Sequence, residues 1–365
     1  VTPEELRAAI PALDDGIYFN AGASGPSPTP VLEATCDTVR SHEINAPTGE
    51  GCYPVAFGAF EKYRERFASF LGASAEELAL TNSTADGIAT VAASIDWQPG
   101  DVVVRTDLEH PAGILPWWNL RERGVEVRVL ETEAGCVDRE AYAEAVADAR
   151  LVCFNSITWT RGTRWPVADL VDVAHDHDTA VLVDAVQSVG QTELDCGAWD
   201  AEYVVGASHK WLLGPWGAGF LFVHEDVDTR PAQVGYRSVE SGMDEDPTLK
   251  SGAARFEVGT TNLGPHAGAT AAMDLHDRLG TETVESRIHE LAGRLAEGLG
   301  DRVLGPSSPE SGLVAFSPDG EDPEALVERL EAEDIYVRSL PGGAVRASVH
   351  AYNTEADVDA LLAAL

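Results

Sequence analysis

The sequence predicts an α/β fold: a large domain on a mostly parallel sheet with helices covering both faces, followed by a smaller α+β domain. Three observations predict it. Short β-branched runs recur at 102–104, 127–130, 151–154, 181–183, 203–205 and 219–223. Helical patterns alternate with them, which places crossover helices on both faces of a parallel sheet. After about Gly259 the alternation gives way to long amphipathic stretches, the mark of a second, differently built unit.

In chain order, residues 1–20 are expected to pack on the small domain, with the large domain over 21–258 and the small one over 259–365. The segment 81–87 is rich in capping residues and precedes an apolar helix expected at 88–95. Residues 166–177 carry proline in the first turn and apolar residues at helical spacing. The run 181–183 is short, apolar and ends in Asp184. The turn Gly214-Pro215-Trp216-Gly217 brings the last strand back so quickly that antiparallel pairing is expected there. Helices at 282–299, 323–332 and 355–365 complete the small domain, and the chain has neither an internal repeat nor a low-complexity tract.

Acidic residues number 61 against 25 basic ones, a net charge of −36. Nucleic acid and acidic membrane surfaces are thereby disfavoured as partners, because their phosphates would repel the chain. The acids are spread over the whole length and form no disordered tail. A lysine-poor, evenly acidic surface is expected of a halophile, whose salt screens the self-repulsion, more than of an ordinary acidic protein. There is no signal-peptide pattern and no run of eighteen apolar residues, so a cytoplasmic location is expected. Cys36, Cys52, Cys136, Cys153 and Cys196 are scattered without CxxC spacing, which fits reduced thiols and neither a zinc site nor a disulfide framework.

Lys210 is one of only three lysines, with Lys62 and Lys250, and sits in Ser208-His209-Lys210-Trp211 directly after an apolar run. A desolvated lysine amine loses its proton and attacks carbonyls to form a Schiff base, which arginine cannot do; the competing reading is a lysine snorkelling at a strand end. Asp184 lies twenty-six residues upstream at the end of an apolar strand, where open α/β sheets bind ligands. Many such strands end in an acid at a cap. The pair is more specific than either member, because pyridoxal 5′-phosphate needs both a lysine and an acid that keeps its pyridine nitrogen protonated. Gln187 follows three residues later, within reach of the ring's phenolic oxygen.

Asp184-Ala185-Val186-Gln187 and Ser208-His209-Lys210 resemble the fold-type I pyridoxal-phosphate enzymes, and among them the class V aminotransferase family, which includes cysteine desulfurases and isopenicillin N epimerase-like proteins. Further matches are Tyr18-Phe19-Asn20-Ala21-Gly22, Asn82-Ser83-Thr84-Ala85-Asp86-Gly87, Glu109-His110-Pro111-Ala112, Arg255 to Thr260, and Arg346-Ala347-Ser348 leading to Tyr352-Asn353-Thr354. The resemblance spans nearly the whole chain. It implies a seven-stranded sheet, pyridoxal 5′-phosphate as cofactor, and catalytic roles for Lys210, Asp184 and His110. Ser83, Thr84 and the Ala85 amide would hold the phosphate at a helix N-terminus; Ser208 and His209 are candidates for further phosphate contacts, although Ala207 stands where the family often has serine. His110 would stack on the ring. Thr260 would reach the phosphate of a neighbouring subunit, which implies a homodimer with a shared site; the simpler reading is a Gly-Thr turn.

Substrate recognition points to Arg346, since guanidinium binds a carboxylate through paired N–H donors and the family places its carboxylate-binding arginine in this motif; Arg338, Arg161 and Arg164 are rivals, and Asn20 and Trp159 are further substrate-side candidates. A second arginine at the site would favour a dicarboxylate. The reaction expected first is transamination of an amino acid. Cysteine desulfurases carry a catalytic cysteine shortly before the carboxylate-binding arginine, but the stretch Arg338 to Ala344 has none and no cysteine follows Cys196. A desulfurase-like C–S lyase without that cysteine is one alternative. Trp159, where desulfurases tend to have asparagine and the epimerase-like branch tryptophan, keeps an epimerase as another. A non-catalytic cofactor-binding protein is a third, disfavoured because an idle site needs no acid at the pyridine nitrogen.

Overall fold

The computed structural model describes all 365 residues. Helix α1 (Pro3–Ala8) starts from a capping box between Thr2 and Glu5. Strand β1 (Ile17–Tyr18) follows, then the long helices α2 (Thr29–Asn45) and α3 (Cys52–Phe70). The large sheet is built from β2 (Leu78–Thr81), β3 (Val102–Thr106), β4 (Glu126–Leu130), β5 (Leu151–Asn155), β6 (Ala180–Asp184), β7 (Tyr203–Ala207) and β8 (Gly219–Val223). Its order is β2-β8-β7-β6-β5-β3-β4. The pairings among β4, β3, β5, β6 and β7 are parallel, while β8 runs antiparallel to both β7 and β2. This is the mostly parallel seven-stranded sheet of the expectation, including the antiparallel return after Gly217.

Alternation along each strand feeds two cores. Val102, Val104, Val152, Phe154, Val183 and Phe220 pack on one face, while Val103, Leu151, Cys153, Leu182, Val205 and Leu221 pack on the other. Helices α4 (Thr84–Ser94), α5 (Leu115–Leu120), α6 (Arg139–Val146) and α7 (Val167–His175) lie between successive strands. One strand was not foreseen and one expectation needs correction. Strand β2 has the sequence Leu-Ala-Leu-Thr, with a single β-branched residue, and β8 offers it a pairing edge. Helix α4 starts at Thr84 and not at Ile88, since the Ser83 hydroxyl accepts the Asp86 amide and caps it there.

Helix α8 (Leu263–Leu279) follows residue 259; its Leu263, Ala269, Ala272 and Met273 pack in the large-sheet core, while Leu275 and Leu279 pack with Leu6, Val284 and Ile288. The small unit follows with α9 (Thr281–Leu299), β9 (Leu313–Phe316), α10 (Pro323–Glu331), β10 (Ile335–Tyr336), β11 (Arg338–Leu340), β12 (Ala344–Ser348) and α11 (Glu355–Ala364). Strands β11, β12 and β9 form an antiparallel sheet in that order. The N-terminal segment lies against it: β1 pairs with β10, Phe19 joins its core, and Arg7 meets Asp357 at 2.7 Å. No helix is long and apolar enough to cross a membrane.

Candidate active site

The carboxyl ends of the parallel strands open into a cavity closed from the other side by the small unit's β11–β12 hairpin. Asp184 ends β6, Lys210 stands in the turn after β7, and His110 in the loop after β3; all three line this cavity with Gln187, Arg338 and Arg346. The lysine turn is tightly held. Leu213 is buried in the left-handed region at φ 60°, and Gly214 N–H donates to Ser208 O at 2.9 Å. The N-terminal segment presses on the same turn: Gly25 N–H donates to His209 O at 2.7 Å, and a Cβ on Gly25 would stand 2.1 Å from Lys210 O. The small unit is fastened to it as well, since His350 Nε2 donates to Trp211 O at 2.8 Å.

Burial sets the charge states. Desolvation lowers the Lys210 amine to about 8, with Asp184 opposing the shift and Arg346 and Arg338 adding to it. Desolvation also lowers His110 to about 4, helped by Lys210, so the imidazole is neutral. Its Nδ1 accepts the Ala112 amide at 3.3 Å, which leaves the proton on Nε2, and its ring stands edge-on to Trp159 at 5.3 Å. Asp184 is 3% exposed. Its Oδ1 accepts the Val186 amide at 2.9 Å; burial raises the carboxyl, against the pull of that amide and of Lys210.

Ser83, Thr84 and Ala85 line the cavity at the start of α4, and the Thr84 hydroxyl is buried without a partner. Gln187 donates from Nε2 to Gly22 O at 3.0 Å and accepts the Trp211 indole N–H at 2.7 Å, which leaves one amide hydrogen free. His209 and Trp159 also line the cavity. Ser208 corrects the expectation: its hydroxyl lies within reach of Pro215 O at 3.1 Å and Ala218 O at 3.2 Å, so it braces the lysine turn and does not line the cavity. Asn20 and Thr260 are not among the lining residues either. Asn20 bridges to Ser348 behind Arg346, with its Oδ1 buried and unpartnered. Thr260 is exposed on a neighbouring cavity that shares Asn82 with the first.

Arg346 is 1% exposed, and only its Nη1 is bonded, to Trp159 O at 2.7 Å; Nε and Nη2 have no partner. Gly22 makes room for it, since a Cβ there would stand 3.1 Å from Nη2. Sequence reasoning left Arg338 as a rival only, yet it pairs directly across from Arg346 in the hairpin register. The signal was available, because residues on either side of a tight turn at matching distance share a face. Trp216 went unnoticed: it is exposed at the cavity, 5.4 Å from the His209 ring, with its indole N–H on Ser24 Oγ at 2.9 Å.

The family profile described as "Aminotransferase class-V" matches residues 17–361. The chain belongs to the class V aminotransferase family. Among its relatives, a probable cysteine desulfurase of Methanothermobacter thermautotrophicus is 34% identical, over 98% of this chain and 96% of that one. The apo cysteine desulfurase of Thermococcus onnurineus NA1 superposes with a TM-score of 0.92 at 28% identity, over 100% of this chain and 97% of that one. The cystine C–S lyase C-DES, solved with its reaction product cysteine persulfide, matches with a TM-score of 0.90 at 30% identity, over 97% and 98% of the two chains. Another C-DES structure has glycine covalently linked to the PLP cofactor.

As a class V member the chain is a pyridoxal-phosphate-dependent enzyme, and its residues fit that cofactor. An unpartnered Thr84 hydroxyl beside a helix N-terminus suits a phosphate, Asp184 has a free carboxylate oxygen for a ring nitrogen, and Lys210 is a half-buried, desolvated amine without an ion-pair partner.

Proposed function

We propose that this class V enzyme is a C–S lyase acting on cysteine or cystine, and that it releases sulfur without storing it on a protein thiol. The observation that carries the reading is a buried guanidinium, Arg346, with no acidic partner, in the same cavity as Lys210 and with no cysteine lining it. A carboxylate is the group that such a guanidinium lacks. The relatives' names supply the sulfur amino acid. The missing thiol separates this chain from an enzyme that carries persulfide on its own cysteine: β11 and β12 are joined by the tight turn at 341–343, and Cys36, Cys52, Cys136, Cys153 and Cys196 all lie elsewhere.

When bound, the cofactor supplies an electron-poor ring that draws the electron pair from the substrate's Cα. The chain's own residues do the rest. Ser83, Thr84 and the Ala85 amide would hold the phosphate, and the neutral imidazole of His110 would meet the ring. Asp184 would keep a proton on the pyridine nitrogen. Arg346 fixes the substrate carboxylate through its free Nε and Nη2, and Lys210, with an amine near 8, moves the Cα proton. Arg338, opposite Arg346, suits the far carboxylate of cystine. Homodimerisation through Thr260 belongs to the same reading.

The arginine pair also fits a dicarboxylic amino donor, so transamination is the second reading. Purified holoenzyme given cystine, cysteine, aspartate and glutamate in turn separates the two. Pyruvate formed from cystine with an unchanged cofactor spectrum supports the lyase. Conversion of the cofactor to its pyridoxamine form by aspartate or glutamate, without elimination, establishes transamination instead.

A further inference from the structure

One buried acid beside the cavity takes no part in the chemistry above. Glu109 precedes His110 in the loop that leaves β3 and is 3% exposed. Its Oε1 accepts the Thr106 hydroxyl at 2.6 Å and the Asn155 amide N–H at 3.3 Å. A single side chain thus ties the end of β3 to the end of β5. Asn155 completes the clamp by donating from Nδ2 to Leu108 O at 3.1 Å. Oε2 is buried without a partner and faces Gly113, whose Cβ, if it had one, would stand 3.3 Å away. No cation pairs with this carboxyl; the charged neighbour that acts on it is Asp184 at the end of β6. An ionised Glu109 would therefore leave a bare desolvated oxygen beside a second carboxylate, an arrangement proteins avoid by keeping one acid neutral.

We propose that Glu109 is a positioning residue that works as an uncharged acid: it clamps the ends of β3 and β5 so that the loop presents His110 to the cofactor, and leaves Asp184 the only buried anion at the site. The other titratable group that senses it is Cys153 in β5, whose thiol is raised by burial first and by Glu109 next. Burial, with Asp184 adding, lifts the Glu109 carboxyl to about 8, against the Thr106 hydroxyl, which lowers it. The neutral form therefore holds at neutral pH and is lost as the pH rises through about 8. The inference rests on cofactor use, which both readings of the reaction share, so a failure to cleave cystine leaves it standing.

The test compares Glu109→Gln, which keeps shape and neutrality, with Glu109→Leu, which removes the clamp. Cofactor affinity and the visible circular dichroism of the bound cofactor are measured from pH 6.5 to 9.5. Glu109→Gln is expected to bind cofactor within about twofold of the unaltered protein and keep its dichroic band, while Glu109→Leu, which orphans the Thr106 hydroxyl and the Asn155 N–H, loses roughly tenfold in affinity and much of the band. The unaltered protein should also lose affinity above about pH 8 relative to Glu109→Gln. The proposal is overturned if Glu109→Gln weakens binding as much as Glu109→Leu, if Glu109→Leu keeps the full band, or if the two pH profiles coincide. Should Glu109→Leu fail to fold, the comparison of Glu109→Gln with the unaltered protein decides alone.

Discussion

Replacing Arg346 by methionine should move activity and stability in opposite directions. The guanidinium is almost fully buried, has a single hydrogen bond, to Trp159 O, and faces no acid. Burial first, and Arg338 second, lower it to about 9, so at neutral pH it is a charge held at a cost until substrate arrives. Two charge-assisted hydrogen bonds from Nε and Nη2 to a substrate carboxylate are worth about 1.5–3 kcal/mol each. Their loss lowers kcat/KM by roughly 10²- to 10⁴-fold. Methionine fills similar space with an adaptable, uncharged chain. It forfeits the Trp159 bond, worth about 1 kcal/mol, but removes the buried charge, so the melting temperature of substrate-free holoenzyme should hold or rise by about 1–3 °C. Steady-state kinetics and thermal unfolding of one preparation suffice. A kcat/KM within about threefold of the unaltered enzyme would refute the carboxylate role, and a large fall in melting temperature would refute the view of Arg346 as an unpaired charge awaiting an anion.

Three further outcomes follow from the site. Borohydride reduction and peptide mapping should place the cofactor on Lys210; finding it on Lys62 or Lys250 would overturn the assignment. The rate at which apoprotein takes up cofactor should rise with pH and level off above about 8, because only the unprotonated Lys210 amine attacks; Asp184→Asn removes the carboxylate that raises this amine, so the midpoint should move to lower pH, and a midpoint shifted upward contradicts the arrangement. The same variant should keep its cofactor but lose turnover by about 10²-fold or more. Finally, 61 acids against 25 bases repel one another over a Debye length of about 30 Å at 0.01 M salt and about 3 Å at 1 M. Melting temperature and apparent mass should therefore increase along a potassium chloride series, and a dimer of full activity at low salt would leave the acidic surface unexplained.

Much of the large sheet was legible because its strands are buried on both faces and read as unbroken apolar runs, with Asp184 and Lys210 at two of their ends. Strand β2 was not, since Leu78 to Thr81 has only one β-branched residue, Thr81, and pairs along its length with β8. The packing of α8 on two cores was not legible either, because an amphipathic helix does not announce which core its stripe will meet. At the site, motifs placed Ser83, Thr84, His110, Gln187 and Arg346 around one cavity. Arg338 needed the hairpin register, and the internal bonding of Ser208 needed the geometry of the lysine turn. Glu109 stands in the Glu109-His110-Pro111-Ala112 motif, but its burial and its bare oxygen are facts of packing that no local pattern carries.

The fate of sulfur tests the central claim most directly. Holoenzyme turning over cystine should yield pyruvate, ammonia and cysteine persulfide in equal amounts, consuming one water, while intact-protein mass spectrometry finds no added sulfur. A protein mass increased by one sulfur atom, removed by thiols as turnover proceeds, would show that one of the five cysteines accepts the sulfur and would contradict the account.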